Sequence, residues 1–180
     1  MKDNFFVIAR EPGAQNPAIP TWAAHTDNAF ALDSSAAQTQ QNLAIFDGKK
    51  PLGINTRFRF YRYQEGDYFK YHIDGDWPGS KVEGDKLIHN AYSDRYSKMT
   101  FLILLNDNFE GGETQFLVNA DQPGKPAKRG DRQAQVNVRT PAGGVLLFPH
   151  GHHSLHCLHS STPITKGVKY IIRTEMLFEI

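Results

Sequence analysis

The chain has 180 residues, room for one domain of ordinary size, and its 39% hydrophobic and 22% charged residues match usual globular proportions. Lys and Arg number 20 against 19 Asp and Glu, and the resulting charge of +1 excludes the strong positive field that holds nucleic acid or an anionic membrane. The single cysteine, Cys157, excludes an internal disulfide, and no stretch reaches the roughly 18 apolar residues of a membrane helix.

The opening MKDNFFVIAR carries an apolar patch too short for a signal peptide and no small-residue cleavage site, so the chain reads as soluble and cytoplasmic. Residues 1–53 are loosely specified. Pro12, Gly13, Pro17 and Pro20 mark irregular backbone, and Asp33 with Ser34 predicts the cap of a short helix through AAQTQQNLAIF. From residue 54 the pattern changes. Asn55–Tyr63 alternates, with Phe58 and Phe60 on one face and Arg57, Arg59, Tyr61 and Tyr63 on the other, as a strand would. Phe69–Asp74 predicts a second strand. Met99–Leu105 (MTFLILL) is a continuous apolar run, expected of a strand buried on both faces. Glu113–Val118, Val136–Arg139, Gly144–Phe148, His156–His159 and Val168–Phe178 complete the strand-like segments. About eight short strands separated by turns, with one or two helices only near the front, predict a single mainly β domain over residues 1–180, a sandwich or jelly roll.

Two polar stretches exceed the usual connection of up to about 12–15 residues. Gly75–Lys98 starts directly after a His-x-Asp triplet and is read as a lid, with Trp77, Tyr92 and Tyr96 as candidate covering aromatics. Asn119–Gln135, which holds Lys125, Lys128, Arg129 and Arg132, is read as a solvated excursion of a hairpin.

Chemistry concentrates in two places. In His72-Ile73-Asp74 the strand period of two points an imidazole and a carboxylate to one side, where both can reach one ion. The run His150–His159 (HGHHSLHCLH) holds five of the chain's eight histidines. Such a tract is either a solvated metal-binding stretch or the source of one ligand with the others along its rim. Two histidines and one carboxylate leave three coordination positions open, which suits non-haem Fe(II) that must take up a co-substrate and O₂. A zinc hydrolase could use similar ligands. Composition does not choose among the five histidines. Ser160–Gly167 reads as a turn that puts His159 on the strand before it and Lys169 on the strand after it, where a lysine would be a natural counter-ion for a dicarboxylate.

Three blocks carry a family resemblance. RFRFYRYQEGDYFKYHIDG, MTFLILLNDNFEGGETQF, and GGVLLFPHG followed by HSSTPITKGVKYIIRTEML resemble, in this order, segments of the prolyl 4-hydroxylase branch of the 2-oxoglutarate/Fe(II) dioxygenases. The resemblance covers most of residues 54–178. It implies a double-stranded β-helix (a jelly roll, cupin-like), with His72, Asp74 and His159 as iron ligands. It also implies that Lys169, ten residues after His159, pairs with the C5 carboxylate of 2-oxoglutarate, and that Tyr63 lines the co-substrate pocket. Arg173, four residues beyond Lys169 on the same strand face, is the second choice for that anchor beside the plainer reading of a structural ion pair. There are departures. Leu104 stands where the family often has a tyrosine, and His159 is followed by Ser160-Ser161 rather than Glu-Gly, which makes His156 a rival ligand. Cys157 reads as a small buried residue.

The activity implied is oxidative decarboxylation of 2-oxoglutarate to succinate and CO₂, coupled to hydroxylation of a C–H bond in a peptidyl prolyl or small amino-acid-like substrate. Fe(II) would be the metal, O₂ the second co-substrate and ascorbate an accessory reductant. A jelly-roll zinc hydrolase, which leaves Lys169 without a task, and a catalytically silent binding module are the competing readings. The expected partners are a small molecule or a peptide, with no nucleic acid and no membrane; oligomeric state is not legible.

Overall fold

A computed structural model describes the backbone of residues 6–8 and all of residues 48–122 and 124–180. The helix expected after Ser34 lies outside these residues. Among the described residues the chain forms strands and no helix: β1 (Phe6–Ile8), β2 (Pro51–Ile54), β3 (Arg59–Tyr63), β4 (Phe69–His72), β5 (Lys81–Glu83), β6 (Lys86–Ile88), β7 (Arg95–Leu104), β8 (Glu110–Gly111), β9 (Thr114–Asn119), β10 (Gln133–Val138), β11 (Val145–Pro149), β12 (His159–Ser161), β13 (Ile164–Lys166) and β14 (Lys169–Glu179). No helix among the described residues is long and apolar enough to cross a membrane.

The apolar run is the spine. Its strand, β7, lies between β11 and β14, antiparallel to both, and the larger sheet runs β1-β11-β7-β14-β2 with β3 also on β14. The eleven residues of β14 are long enough for two partners: Lys169–Arg173 pairs with β3, and Met176–Phe178 with β2. A smaller sheet, β10-β9-β12-β4, carries the segment read as the first ligand strand beside the last histidine of the tract. This is a jelly roll.

Alternation along β9 turns Thr114, Phe116 and Val118 inward, where Phe116 and Val118 meet Val138, Leu146, Phe148 and Cys157. The Phe116 and Phe148 rings meet edge to face at 5.1 Å. Burying each phenyl side chain stabilises the fold by about 1.5–3 kcal/mol. A second cluster of Met99, Leu147, Met176 and Phe178 packs on the opposite face of the larger sheet, so β7 and β11 are covered on both sides as their apolar runs require. On β3 the parity read from the sequence holds, and the polar-aromatic face is the inner one: Arg59, Tyr61 and Tyr63 are half-buried while Phe60 is 73% exposed.

Both long loops are shorter than the sequence suggested. Within Gly75–Lys98, β5 and β6 form a hairpin and β7 already begins at Arg95. Within Asn119–Gln135, β10 begins at Gln133. The turn expected over Ser160–Gly167 also contains structure, because β13 pairs with β8. Strands of three residues such as Lys86–Ile88 are too short for a reading based on apolar alternation.

Candidate metal centre

The site is assembled from the smaller sheet and the chain leaving it. β4 ends at His72, and the extended backbone continues the alternation: Ile73 is 47% exposed and Asp74 is 4% exposed. Antiparallel pairing of β12 with β4 places His159 directly opposite His72, ring centroids 4.2 Å apart. His72 Nε2 lies 3.2 Å from Asp74 Oδ1 and His159 Nε2 lies 3.6 Å from Asp74 Oδ2. One ligand atom from each of the three residues falls within 4.8 Å of the others.

Hydrogen bonding at the far side of each ring fixes what the near side offers. His72 Nδ1 lies 2.8 Å from the Lys70 carbonyl and His159 Nδ1 lies 3.0 Å from the Cys157 carbonyl, so each Nδ1 carries a proton and donates it. Burial holds the His159 pKa down at about 4 against the opposing pull of Asp74, so its imidazole is neutral and its Nε2 bare. Bare nitrogen facing carboxylate is lone pair against lone pair. A cation between them would make the arrangement favourable, and this donor set, two imidazoles and a carboxylate, fits a first-row divalent metal.

Asp74 is held in the form such a metal needs. Burial alone would raise its pKa, but the Arg173 guanidinium and the Thr100 hydroxyl beside it oppose this, and the carboxyl stays well below its ordinary range. Thr100 Oγ1 donates to Asp74 Oδ2 at 2.6 Å, and Arg173 Nη2 lies 2.8 Å from Asp74 Oδ1. Arg173 is therefore engaged with a carboxylate of this chain, the ion-pair alternative noted from the sequence, while still lining the same pocket.

Lys169 is 4% exposed and lines the pocket with His72, Asp74 and His159. Its Nζ donates to the Gly112 carbonyl at 2.5 Å and lies 3.4 Å from Ser161 Oγ. Burial, then the nearby Arg139 charge, brings its pKa down to about 8 despite Glu113. Tyr63 pairs with Lys169 across β3 and β14, and the ammonium lies 5.7 Å from its ring centre. Gly112, at φ 70°, belongs to the Gly-Gly turn that brings β9 against this lysine; a Cβ there would crowd Phe109 at 3.2 Å and Lys169 Cδ at 3.3 Å.

The other histidines of the tract have other tasks. His156 turns its Nδ1 to the His153 carbonyl at 2.9 Å and is outside the ligand cluster. His153 is buried, with Nδ1 accepting the Leu155 N–H at 3.0 Å, and exposed His152 pairs with Asp76 at 2.5 Å. His150 is buried between Ser97 and Thr100. Cys157 is a buried thiol, its pKa pushed up to about 12 by burial.

The aromatic lid expected from Trp77, Tyr92 and Tyr96 is not what lines the pocket. Trp77 stacks under Arg57 and Arg59, with guanidinium-to-ring distances of 4.2 and 5.3 Å, Tyr92 packs on Arg95 at 4.1 Å, and Tyr96 belongs to β7. The pocket aromatics are Tyr61, Tyr63, Phe69 and Phe148, all from strands. Thr100 was passed over in the sequence, where its one available signal was a hydroxyl inside an otherwise apolar run, and His150 was read only as one of the five histidines of the tract.

The burial of neutral His150 and His159 gives a pH dependence. Both have folded pKa values near 4, below the 6.5 of a free imidazole. As pH falls from about 6.5 to 4 the unfolded chain takes up protons that the folded one refuses, so stability falls across that window. Denaturant titrations of chelator-treated protein are expected to lose on the order of 3 kcal/mol for each histidine between pH 7 and pH 4. A midpoint that stays level over this range would contradict the burial of the two neutral rings.

A jelly roll that closes two imidazoles and a carboxylate around one point has the ligand set of the non-haem Fe(II) oxygenases. Residues 58–174 match the family described as the 2OG-Fe(II) oxygenase superfamily, and the chain belongs to it. It is 29% identical over 129 residues to the PKHD-type hydroxylase YbiX of Escherichia coli (strain 55989 / EAEC), a match covering 72% of this chain and 46% of that protein. It is 32% identical over 113 residues to a PKHD-type hydroxylase of Xylella fastidiosa (strain Temecula1), covering 62% and 40%. The chain thus spans less than half the length of these curated relatives. Similar solved structures include a prolyl-4-hydroxylase of Pseudomonas putida, with TM-score 0.42, 19% identity and coverage of 78% of this chain and 61% of that one. A 2OG-Fe(II) oxygenase-family oxidoreductase of Burkholderia pseudomallei gives TM-score 0.46, 14% identity and coverage of 80% and 53%.

Proposed function

We propose that this chain carries the catalytic site of an Fe(II)- and 2-oxoglutarate-dependent hydroxylase, with His72, Asp74 and His159 as iron ligands and Lys169 as the anchor of the co-substrate's far carboxylate. The observation that carries the reading is the convergence of His72, Asp74 and His159, whose ligand atoms all lie within 4.8 Å of one another where β12 sets His159 opposite His72. When bound, the iron supplies the coupling of O₂ to decarboxylation of 2-oxoglutarate, giving succinate and CO₂, and to oxygen insertion into a substrate C–H bond.

The chain's own groups bind and orient. An ammonium has three donors, and two of those on Lys169 have partners in Gly112 and Ser161, so one remains for an anion. Arg173 is the weaker candidate for the anchor because its Nη2 is already paired with Asp74. Tyr63 and Tyr61 wall the pocket against water, which strengthens the lysine–carboxylate pair. The substrate is proposed as a peptidyl prolyl residue or an amino-acid-like small molecule, in keeping with the hydroxylase names of the relatives, and ascorbate as the reductant that keeps the metal ferrous.

The test is succinate formation from 2-oxoglutarate by protein given Fe(II), ascorbate and O₂, against a chelated control. Because Lys169 must be charged to hold the carboxylate and its pKa is about 8, the KM for 2-oxoglutarate is expected to be lowest below pH 8 and to climb above it. Failure of both succinate formation and thermal stabilisation by metal plus 2-oxoglutarate would remove this reading in favour of a hydrolase or a silent module.

A further inference from the structure

His150 is one of the largest fully buried side chains among the described residues, at 1% exposure, and the proposed chemistry gives it no task. Its hydrogen bonds have one consistent direction. Thr100 has a single hydroxyl proton, and it goes to Asp74 Oδ2 at 2.6 Å. His150 Nδ1, 2.8 Å from Thr100 Oγ1, must therefore donate its own proton to that oxygen. A neutral ring then has a bare Nε2, which accepts the Ser97 hydroxyl at 2.8 Å, and Ser97 Oγ in turn accepts the Trp77 backbone N–H at 2.8 Å. Ser97, Thr100 and Asp74 are 1%, 0% and 4% exposed, so water does not compete along the chain. A second tie joins the same elements: the Gly151 N–H donates to the Asp74 carbonyl at 2.8 Å.

We propose that His150 is a positioning residue for the metal ligand Asp74, acting through Thr100 to hold the carboxylate by Oδ2. Thr100 holds Oδ2 and Arg173 lies 2.8 Å from Oδ1, so rotation of the carboxylate would break one contact or the other. The inference rests on Asp74 being a metal ligand, as in the proposed function. Partners of this kind that orient a ligand are worth about 10–100-fold in metal affinity.

The experiment titrates purified full-length protein with Co²⁺, read by visible absorption, for wild type, Thr100→Val, Thr100→Ser, His150→Leu and His150→Asn. Thermal melts of the metal-free proteins run alongside. Thr100→Val and His150→Leu are expected to weaken Co²⁺ binding about 10–100-fold per folded molecule and to alter the bound spectrum. Thr100→Ser keeps the hydroxyl and His150→Asn keeps an N–H toward Thr100, so both are expected near wild-type affinity. A purely structural role would lower the melting temperature and leave Co²⁺ affinity unchanged in Thr100→Val and His150→Leu, and that result overturns the proposal. If His150→Leu does not fold, Thr100→Val against Thr100→Ser decides on its own. Wild-type protein that binds no Co²⁺ overturns the metal reading itself, a result distinct from variants that bind as well as wild type.

Discussion

Replacing His159 by alanine is expected to abolish turnover, by ~10³-fold or more, because the proposed metal centre would lose one of its three candidate protein ligands. The substitution also costs packing. The ring lies 4.6 Å from Phe148 and 5.8 Å from Phe116, centre to centre, so truncation leaves a hole worth about 2–4 kcal/mol. His159→Gln, which fills more of that volume and still lacks the imidazole, separates the two effects: it should be better folded and equally inactive. His156→Ala is the matched control from the same tract. Its ring is turned to the His153 carbonyl, so succinate formation is expected to survive. Succinate yield and Fe(II) dependence measured for the three variants decide the ligand. Loss in His156→Ala with activity retained in His159→Ala would overturn the assignment.

The second large effect is expected at Lys169. Truncating one member of a buried charge pair typically costs about 2–5 kcal/mol, and each 1.4 kcal/mol is tenfold, so Lys169→Ala should raise the KM for 2-oxoglutarate on the order of 10²-fold. The requirement for Fe(II) should barely move, since the ammonium is bonded to Gly112 and Ser161 rather than to any proposed ligand. Arg173→Ala should behave in the opposite sense, loosening the metal through Asp74 while changing co-substrate affinity less. Paired titrations of Fe(II) and 2-oxoglutarate on both variants test this crossing pattern. An unchanged co-substrate KM in Lys169→Ala would take the anchor away from that lysine.

Alternation made much of the larger sheet readable. The run MTFLILL has the composition of a strand covered on both faces and became the middle of its sheet. Arg59, Tyr61 and Tyr63 share a face because every second residue must. Where strands run to only three residues, that signal disappears. The β5–β6 hairpin was read as loop for this reason, and Trp77 and Tyr92 were read as a lid because nothing local announces that arginines will cover them.

By itself the sequence determined that His72 and Asp74 point the same way, since a period of two is a property of any extended chain. It also determined that the histidines of one tract and a lysine shortly after them would be at hand. Which histidine of the tract comes to face His72 and Asp74 was decided only by tertiary structure, through the register that sets His159 against His72 across β12 and β4. The partners of Asp74 were decided there too. Thr100 and Arg173 come from β7 and β14, whose contact with Asp74 arises when the two sheets stack, and no local pattern encodes a contact between residues so far apart in the chain.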